Sequence, residues 1–256
     1  AFAGVNTLFV GLMQHPEFDD IDFTSLRGTI AGGAALVKEI AEEWKARTGT
    51  EIFEGYGLSE TSSTLTCNTE EARRLGTVGK PLIAMEVKMV NEAGETVADG
   101  EEGELLVRGP HVLQGYWQRP EATAEAIDAE GWFRTGDIAI RSEDGFIKIV
   151  DRLKDMILVS GFNVYPNEIE DVAYSHPDIF ECAAVGIKDE KTGESVVLYV
   201  ASTNPDLDEA TLRAFCRESL TAYKVPKKIE FMPELPKSNV GKILRRELRD
   251  IARGEK

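Results

Sequence analysis

Three short stretches of this chain combine residue types that chemistry can use. Glu54-Gly55-Tyr56-Gly57-Leu58-Ser59-Glu60-Thr61 gathers glycines, an aromatic ring, hydroxyls and carboxylates in one run. Glycine lets a backbone approach a ligand closely, and an aromatic ring offers a face on which adenine can stack. Trp132-Phe133-Arg134-Thr135-Gly136-Asp137 ends on a carboxylate, whose two oxygens can meet a vicinal diol. Gly241-Lys242 sets an ammonium group beside a flexible residue, a long-reach point charge suited to anions. Taken singly, each has an ordinary reading: a glycine-rich turn, a turn entering a strand, and a solvated lysine. Gly241-Lys242 is not a P-loop, because the upstream glycine and following Ser/Thr are missing. Gly-x-Ser-x-Gly is absent, and His15, His111 and His176 have no evident catalytic partners, so a Ser–His–Asp hydrolase is unsupported.

The elements that position these stretches follow from hydrophobic spacing. Thr29-Ile30-Ala31 reads as a strand end, Gly32-Gly33 as a tight turn, and residues 35–47 as a helix. Leu36, Ile40 and Trp44 recur every fourth residue and share one face of it. Glu51-Ile52-Phe53 is a short strand running into Gly55-Tyr56-Gly57. Residues 85–108 switch to a period of two, with turn residues at Asn91-Glu92-Ala93-Gly94 and a second strand over 103–107. A third β unit spans 137–150, folded over Glu143-Asp144-Gly145, and Arg119-Pro120-Glu121 starts a short helix. Beyond residues 151–155, where the domain boundary is expected, helices at 166–176 and 208–220 alternate with strands at 182–187, 196–201 and 229–231. A last helix is expected over 243–252, with Lys242 at its start.

The chain has 256 residues, of which 42% are hydrophobic, enough to bury the cores of two compact domains. Its formal charge of −16 argues against general nucleic-acid binding, although basic residues outnumber acidic ones from Val225 onward. A basic tail beside an acidic body suits an anionic ligand such as a nucleotide, or is simply a solvated helix. No apolar run is long enough for a membrane span, and the start of the chain lacks a secretion signal. Cys67, Cys182 and Cys216 lie far apart without metal-ligand spacing, which fits a reduced, cytoplasmic compartment.

In their order and spacing these stretches resemble the adenylate-forming acyl-CoA synthetase and luciferase superfamily over nearly the whole chain. Asp151-Arg152-Leu153-Lys154-Asp155 through Ser160-Gly161-Phe162-Asn163-Val164-Tyr165-Pro166, with Lys237-Ser238-Asn239-Val240-Gly241-Lys242, is similar to the bacterial long-chain fatty-acid–CoA ligase subgroup. The resemblance implies an α/β and α+β fold: residues 1–151 as the C-terminal portion of a large AMP-binding domain, with an α/β layer and a β-rich subdomain, then 152–256 as a small mobile α+β domain hinged near Lys154. It implies two half-reactions, in which a fatty acid joins the α-phosphate of ATP and the acyl group then passes to the thiol of CoA. Two anions must meet in the first, so charge has to be neutralised as the reactants are positioned.

By the same resemblance, Gly33 and Ala34 line the nucleotide pocket with Gly55 and Gly57, Tyr56 contacts adenine, and Ser59 hydrogen-bonds a phosphate oxygen. Ser59 stands where the family more often has Thr, and either residue offers a hydroxyl. Glu60 is the implied Mg²⁺ ligand, Asp137 meets the ribose hydroxyls, and Arg152 contacts the nucleotide. Lys242 is implied to bridge the attacking carboxylate and the α-phosphate. Ser160, Gly161 and Phe162 are implied to face the pantetheine channel, and Lys224 to bind a CoA phosphate. The family's Ser/Thr/Gly-rich phosphate loop is not in this chain, so a C-terminal fragment is expected, inactive alone. A non-catalytic nucleotide-binding or interaction fragment and an acyl-AMP ligase are the alternatives. Long acyl substrates add an expectation of peripheral contact at the inner membrane face.

Overall fold

The computed structural model describes residues 1–239 and 241–254, so Val240 of the Lys237–Lys242 motif and the terminal Glu255 and Lys256 lie outside the described residues. The chain divides into two compact units, Ala1–Ile149 and Val150–Lys256. That division falls just ahead of residues 151–155, within β9 (Ile147–Arg152), a strand that runs on into the second unit.

The first unit opens as an α/β layer. β1 (Phe2–Gly4), β2 (Thr29–Ala31) and β3 (Ile52–Tyr56) lie parallel, connected through α1 (Asn6–Met13) and α2 (Lys38–Thr48). Phe9, Met13, Phe18, Trp44 and Ile52 fill the core between them, and the Trp44 indole N–H donates to Thr29 Oγ1 at 3.1 Å. α2 begins three residues later than the apolar spacing suggests, because the Leu36 and Val37 amides are committed elsewhere. They donate to Glu54 Oε1 and Asn6 Oδ1 at 2.9 and 3.3 Å, which holds residues 32–37 as a loop.

β3 also runs further than its apolar residues indicate and carries Gly55 and Tyr56 as strand, not turn. There it changes partner and pairs antiparallel with β4 (Thr66–Cys67), which pairs with β5 (Lys80–Pro81). A second sheet follows in the order β6 (Glu86–Val90), β7 (Glu102–Arg108), β8 (Phe133–Arg141), β9, with α3 (Pro120–Ala126) between β7 and β8. Leu105, Val107, Phe133 and Ile147 form its core with Leu65 and Met89.

The second unit is a separate α+β fold. β10 (Ile157–Val159) and β11 (Phe162–Val164) make a hairpin, and α4 (Pro166–Tyr174) leads to the long antiparallel pair β12 (Ile179–Asp189) and β13 (Gly193–Ser202). α5 (Glu209–Ser219) is N-capped by Asp208, whose carboxylate accepts the Thr211 amide at 2.8 Å. β14 (Lys228–Phe231) adds parallel to β13, and α6 (Arg245–Ala252) follows. Val196, Leu198 and Val200 of β13 pack in the core with α4 and α5, while Val197, Tyr199 and Ala201 pack with Leu248 of α6. Both faces are covered, which is why residues 196–201 read as one continuous apolar run instead of an alternation. Among the described residues, no helix is long and apolar enough to cross a membrane.

Candidate active site

In the first unit the loop after β2 and the end of β3 lie side by side. A Cβ on Gly32 would stand 3.4 Å from the Gly55 carbonyl oxygen, and Gly33 has φ +85°, a left-handed conformation that favours glycine. Gly32, directly before Gly33 and Ala34, is thereby held next to Gly55. Glu54 ties the two segments: its backbone is paired at Ala31 and its carboxylate accepts the Leu36 amide. That carboxyl is only 7% exposed, and burial pushes its pKa up to about 7 against the opposing pull of the Leu36 N–H.

After Tyr56 the chain folds sharply. A Cβ on Gly57 would lie 1.7 Å from the Ser63 carbonyl oxygen, so no larger residue fits this approach. A single turn, residues 59–61, is closed by reciprocal bonds: the Leu58 amide donates to Thr61 Oγ1 at 2.9 Å, and that hydroxyl reaches the Leu58 carbonyl at 3.1 Å. Ser59 is exposed on this turn. Glu60 is fixed at both ends, its carbonyl accepting the Leu113 amide at 2.8 Å and its Oε1 accepting the Tyr116 hydroxyl at 3.0 Å. Burial and the Glu60 charge together raise the Tyr116 pKa.

Asp137 enters from the second sheet through a bulge. Glu104 of β7 pairs with Ile138 and Leu106 with Arg134, so β8 spends two more residues than β7 over the same stretch. Thr135 organises the excess, its hydroxyl donating to the Leu105 carbonyl at 2.7 Å and accepting the Asp137 amide at 3.1 Å. Gly136 takes φ +70°. Asp137, 4% exposed, then accepts the Tyr56 hydroxyl on Oδ2. The aromatic ring and the carboxylate, 81 residues apart in sequence, therefore meet directly.

One carboxylate on a fixed turn suits Mg²⁺, which takes one or two protein carboxylates and fills its octahedron with phosphate oxygens and water. Glu60 can supply that ligand. Among the described residues no cluster of three acidic, histidine or cysteine side chains could make a protein-only cage.

The remaining expected residues belong to the second unit. Arg152 is exposed at the end of β9, and Lys154 is exposed within a one-turn helix, Leu153–Asp155. Ser160 and Gly161 form the tip of the β10–β11 hairpin at φ +52° and +83°. A Cβ on Gly161 would meet nothing within 4 Å, so backbone conformation is what calls for glycine there. Phe162 stacks on Tyr223 with ring centres 4.8 Å apart. Beside this hairpin opens a cavity of about 720 Å³, lined by Ser160, Thr192, Arg213, Arg217, Tyr223 and Lys227 among others. Lys224 is paired with both oxygens of Glu168, at 2.7 and 2.6 Å.

Lys242 differs from expectation in its setting. It lies in a turn ahead of α6, not at a helix start. Gly241 has φ +78°, the Gly241 amide donates to the Ser238 carbonyl, and the Lys242 amide donates to Ser238 Oγ at 3.2 Å. Lys237 and Ile243 bridge antiparallel, and the Leu244 amide donates to the Pro236 carbonyl, so helix begins only at Arg245. The Lys242 side chain is exposed.

Sequence reasoning assigned no role to Tyr116, to Thr135 within its quoted stretch, or to the acidic and basic groups that fasten α6. Gly115 before Tyr116 was the available signal: its φ is +157° and a Cβ there would stand 2.8 Å from Thr123 Cγ2.

Residues 1–117 match the AMP-binding enzyme family, and residues 168–242 match the AMP-binding enzyme C-terminal domain. The chain is similar to a long-chain-fatty-acid–CoA ligase of Escherichia coli O157:H7, 52% identical over 256 residues, covering all of this chain and 46% of the relative. The corresponding ligase of Bacillus subtilis strain 168 is 41% identical over 250 residues, 96% of this chain and 44% of the relative. The chain thus spans about half the length of the curated relatives it matches. Among solved structures, ATP-bound MatB from Rhodopseudomonas palustris superposes with TM-score 0.91 at 33% identity, over 97% of this chain and 50% of that one. The o-succinylbenzoate CoA synthetase of Bacillus subtilis, in complex with its acyl-adenylate intermediate, gives 0.86 at 31%, over 98% and 51%. With both family parts matched in order and a fold shared with ATP- and acyl-adenylate-bound enzymes, the chain belongs to the AMP-binding enzyme family.

Proposed function

We propose that this chain is the C-terminal part of an ATP-dependent long-chain fatty acid–CoA ligase. The observation that carries the nucleotide site is the Tyr56–Asp137 hydrogen bond, one residue along the strand from Gly55, whose carbonyl faces Gly32 of the loop that continues into Gly33 and Ala34. It unites an aromatic face, a diol-binding carboxylate and closely approachable backbone, which is what a nucleoside requires. The long-chain substrate rests on the names of the relatives.

In the first half-reaction a fatty-acid carboxylate oxygen attacks the α-phosphorus of ATP, an O–P bond forms, and the bond to pyrophosphate breaks. Lys242 offsets charge on both reacting anions, Ser59 hydrogen-bonds a phosphate oxygen, and Arg152 steadies the nucleotide. Mg²⁺, held through Glu60, supplies further neutralisation of the phosphates. In the second half-reaction the CoA sulfur forms a bond to the acyl carbon, its thiol proton passes to solvent, and the acyl carbon–oxygen bond breaks to release AMP. Lys154, in its single turn, is the pivot between the two. Ser160 and Phe162 flank the CoA thiol arm, and the cavity with Arg213 and Arg217 has the charge to take its phosphates. Lys224 joins that role only by sharing its ammonium with Glu168. The enzyme works in the cytoplasm, touching the inner membrane face to collect its acyl substrate.

The test is palmitate-dependent exchange of labelled pyrophosphate into ATP by the full-length protein. Lys242→Ala should lower the exchange by about a hundredfold or more while leaving thioester formation from supplied acyl-AMP largely intact. Absence of palmitate-dependent exchange in the unaltered protein would refute the reading. Equal loss of both half-reactions in the variant would refute the role of Lys242.

A further inference from the structure

Within the second unit, α6 is fastened by two kinds of contact. Its apolar residues Leu248, Ile251 and Ala252 pack on the face of β12 and β13 that carries Ala183, Val185, Val197 and Tyr199. Arg245 and Arg249, four residues apart and so on one side of the helix, reach elsewhere. Arg245 Nη2 donates to both oxygens of Glu170 at 2.8 and 2.6 Å and to Asn167 Oδ1 at 3.1 Å. Arg249 Nη1 donates to Asp155 Oδ1 at 2.9 Å. The acceptors are buried: Glu170 is 8% exposed and Asp155 7%.

These contacts lead back to the segment around Lys154. The Asn167 amide donates to Asp151 Oδ2 at 2.8 Å and its side-chain amide to the Val150 carbonyl at 2.9 Å. Glu170 is held in turn by the Ala184 amide at 2.8 Å. Asp155 is the last residue of the one-turn helix that contains Lys154. At its N-terminal end, directly before Arg245, α6 is joined through Leu244 to the turn of Lys242, which Ser238 closes. A continuous path of charge-assisted bonds and helix thus runs from residues 150–155 to Lys242. Apolar packing on one side of a helix leaves it able to slide or roll, whereas charge-assisted bonds on another side fix its rotation and register.

We propose that Arg245 and Arg249 are positioning residues that lock α6 to the segment around Lys154, so that the Lys242 turn moves with that segment as one piece. This rests on the proposed role of Lys242 for its catalytic consequence, but not for its structural one. A lysine that must arrive between two anions gains from a rigid mount, since a displacement near 1 Å can cost about a hundredfold in rate.

The structural arm is amide hydrogen exchange in this chain, read at Ser238, Gly241, Lys242 and Leu244. Arg249→Met leaves Asp155 buried without its cation, so the double variant Arg249→Met/Asp155→Asn is measured beside it, which removes both charges. Both should accelerate exchange at these four amides by about tenfold or more, with β12 and β13 amides unchanged. Arg249→Lys, which can still reach one carboxylate oxygen, should restore slow exchange. Unchanged exchange at the four amides would overturn the proposal, because the Arg249–Asp155 bond would then play no part in holding the turn. Acceleration spread evenly through β12 and β13 would overturn it too, as a general loss of stability.

The catalytic arm is pyrophosphate exchange by the full-length protein. The double variant should lower kcat by about tenfold or more at unchanged KM for ATP, and spare thioester formation from supplied acyl-AMP. Normal adenylation in the double variant, alongside a Lys242→Ala protein that has lost it, would overturn the positioning role. Normal adenylation in Lys242→Ala would instead refute the reading of Lys242, and exchange at the four amides would then decide the lock by itself.

Discussion

Glu54→Gln isolates the electrostatic cost of the residue that joins the loop of Gly33 to the strand of Tyr56. The Glu54 carboxyl is raised from 4.5 to about 7, chiefly by burial. Below pH 4.5 it is protonated in both folded and unfolded chains and adds nothing to the pH dependence. Between the two values the folded state holds a proton that the unfolded state has released, so stability falls as pH rises. Above pH 7 both states are ionised and the folded chain bears the full burial penalty. At about 1.36 kcal/mol per pKa unit, that penalty is of order 3 kcal/mol. Glutamine keeps a carbonyl oxygen for the Leu36 amide and never ionises. The difference in unfolding free energy between Glu54→Gln and the parent should therefore grow in the variant's favour by roughly 3 kcal/mol from pH 4.5 to pH 8, most of it by pH 7. Trp44, Trp117 and Trp132 all lie in the first unit, so tryptophan fluorescence during guanidinium denaturation follows the unit that holds Glu54. Parallel pH curves for the two proteins would show that the carboxyl is not held in its neutral form, and would refute the reasoning.

Two further substitutions probe the same site. Gly57→Ala should destabilise the first unit by about 2 kcal/mol or more, because the new methyl group collides with the Ser63 carbonyl, not with a movable side chain. A fluorescence-detected denaturation midpoint equal to that of the parent would contradict this. Tyr56→Phe keeps the ring and removes the donor to buried Asp137, so it should cost about 1–3 kcal/mol and weaken AMP binding. Calorimetric titration with AMP and the same denaturation series check both halves.

Much of the fold was legible because local and long-range signals agreed. Asp208 capping α5, the four-residue spacing of Ile40 and Trp44, and the alternation around Met85 and Met89 each reappear in the structure. Where the reading slipped, a tertiary contact had overridden a local preference. Leu36 and Val37 look helical, but their amides are claimed by Glu54 and Asn6. Gly55 and Tyr56 look like a turn, but β4 arrives to pair with them from ten residues downstream. Ile243 and Leu244 look like the first turn of a helix, but the bridge to Lys237 extends them. The site shows the same division. Residue types at Tyr56 and Asp137 pointed to a nucleoside, yet nothing in the spacing announced their hydrogen bond or the bulge that makes it reachable. Arg245 and Glu170 were unreadable for the same reason, since a partly buried ion pair between distant helices leaves no periodic trace in either one.

A crystal of the full-length protein grown with a sulfamoyl analogue of palmitoyl-AMP would address the proposed nucleotide site most directly. The expected density places the adenine ring against Tyr56 beside Gly33 and Ala34, with the ribose hydroxyls on Asp137. An adenylate bound away from these residues, or none bound at all, would contradict it.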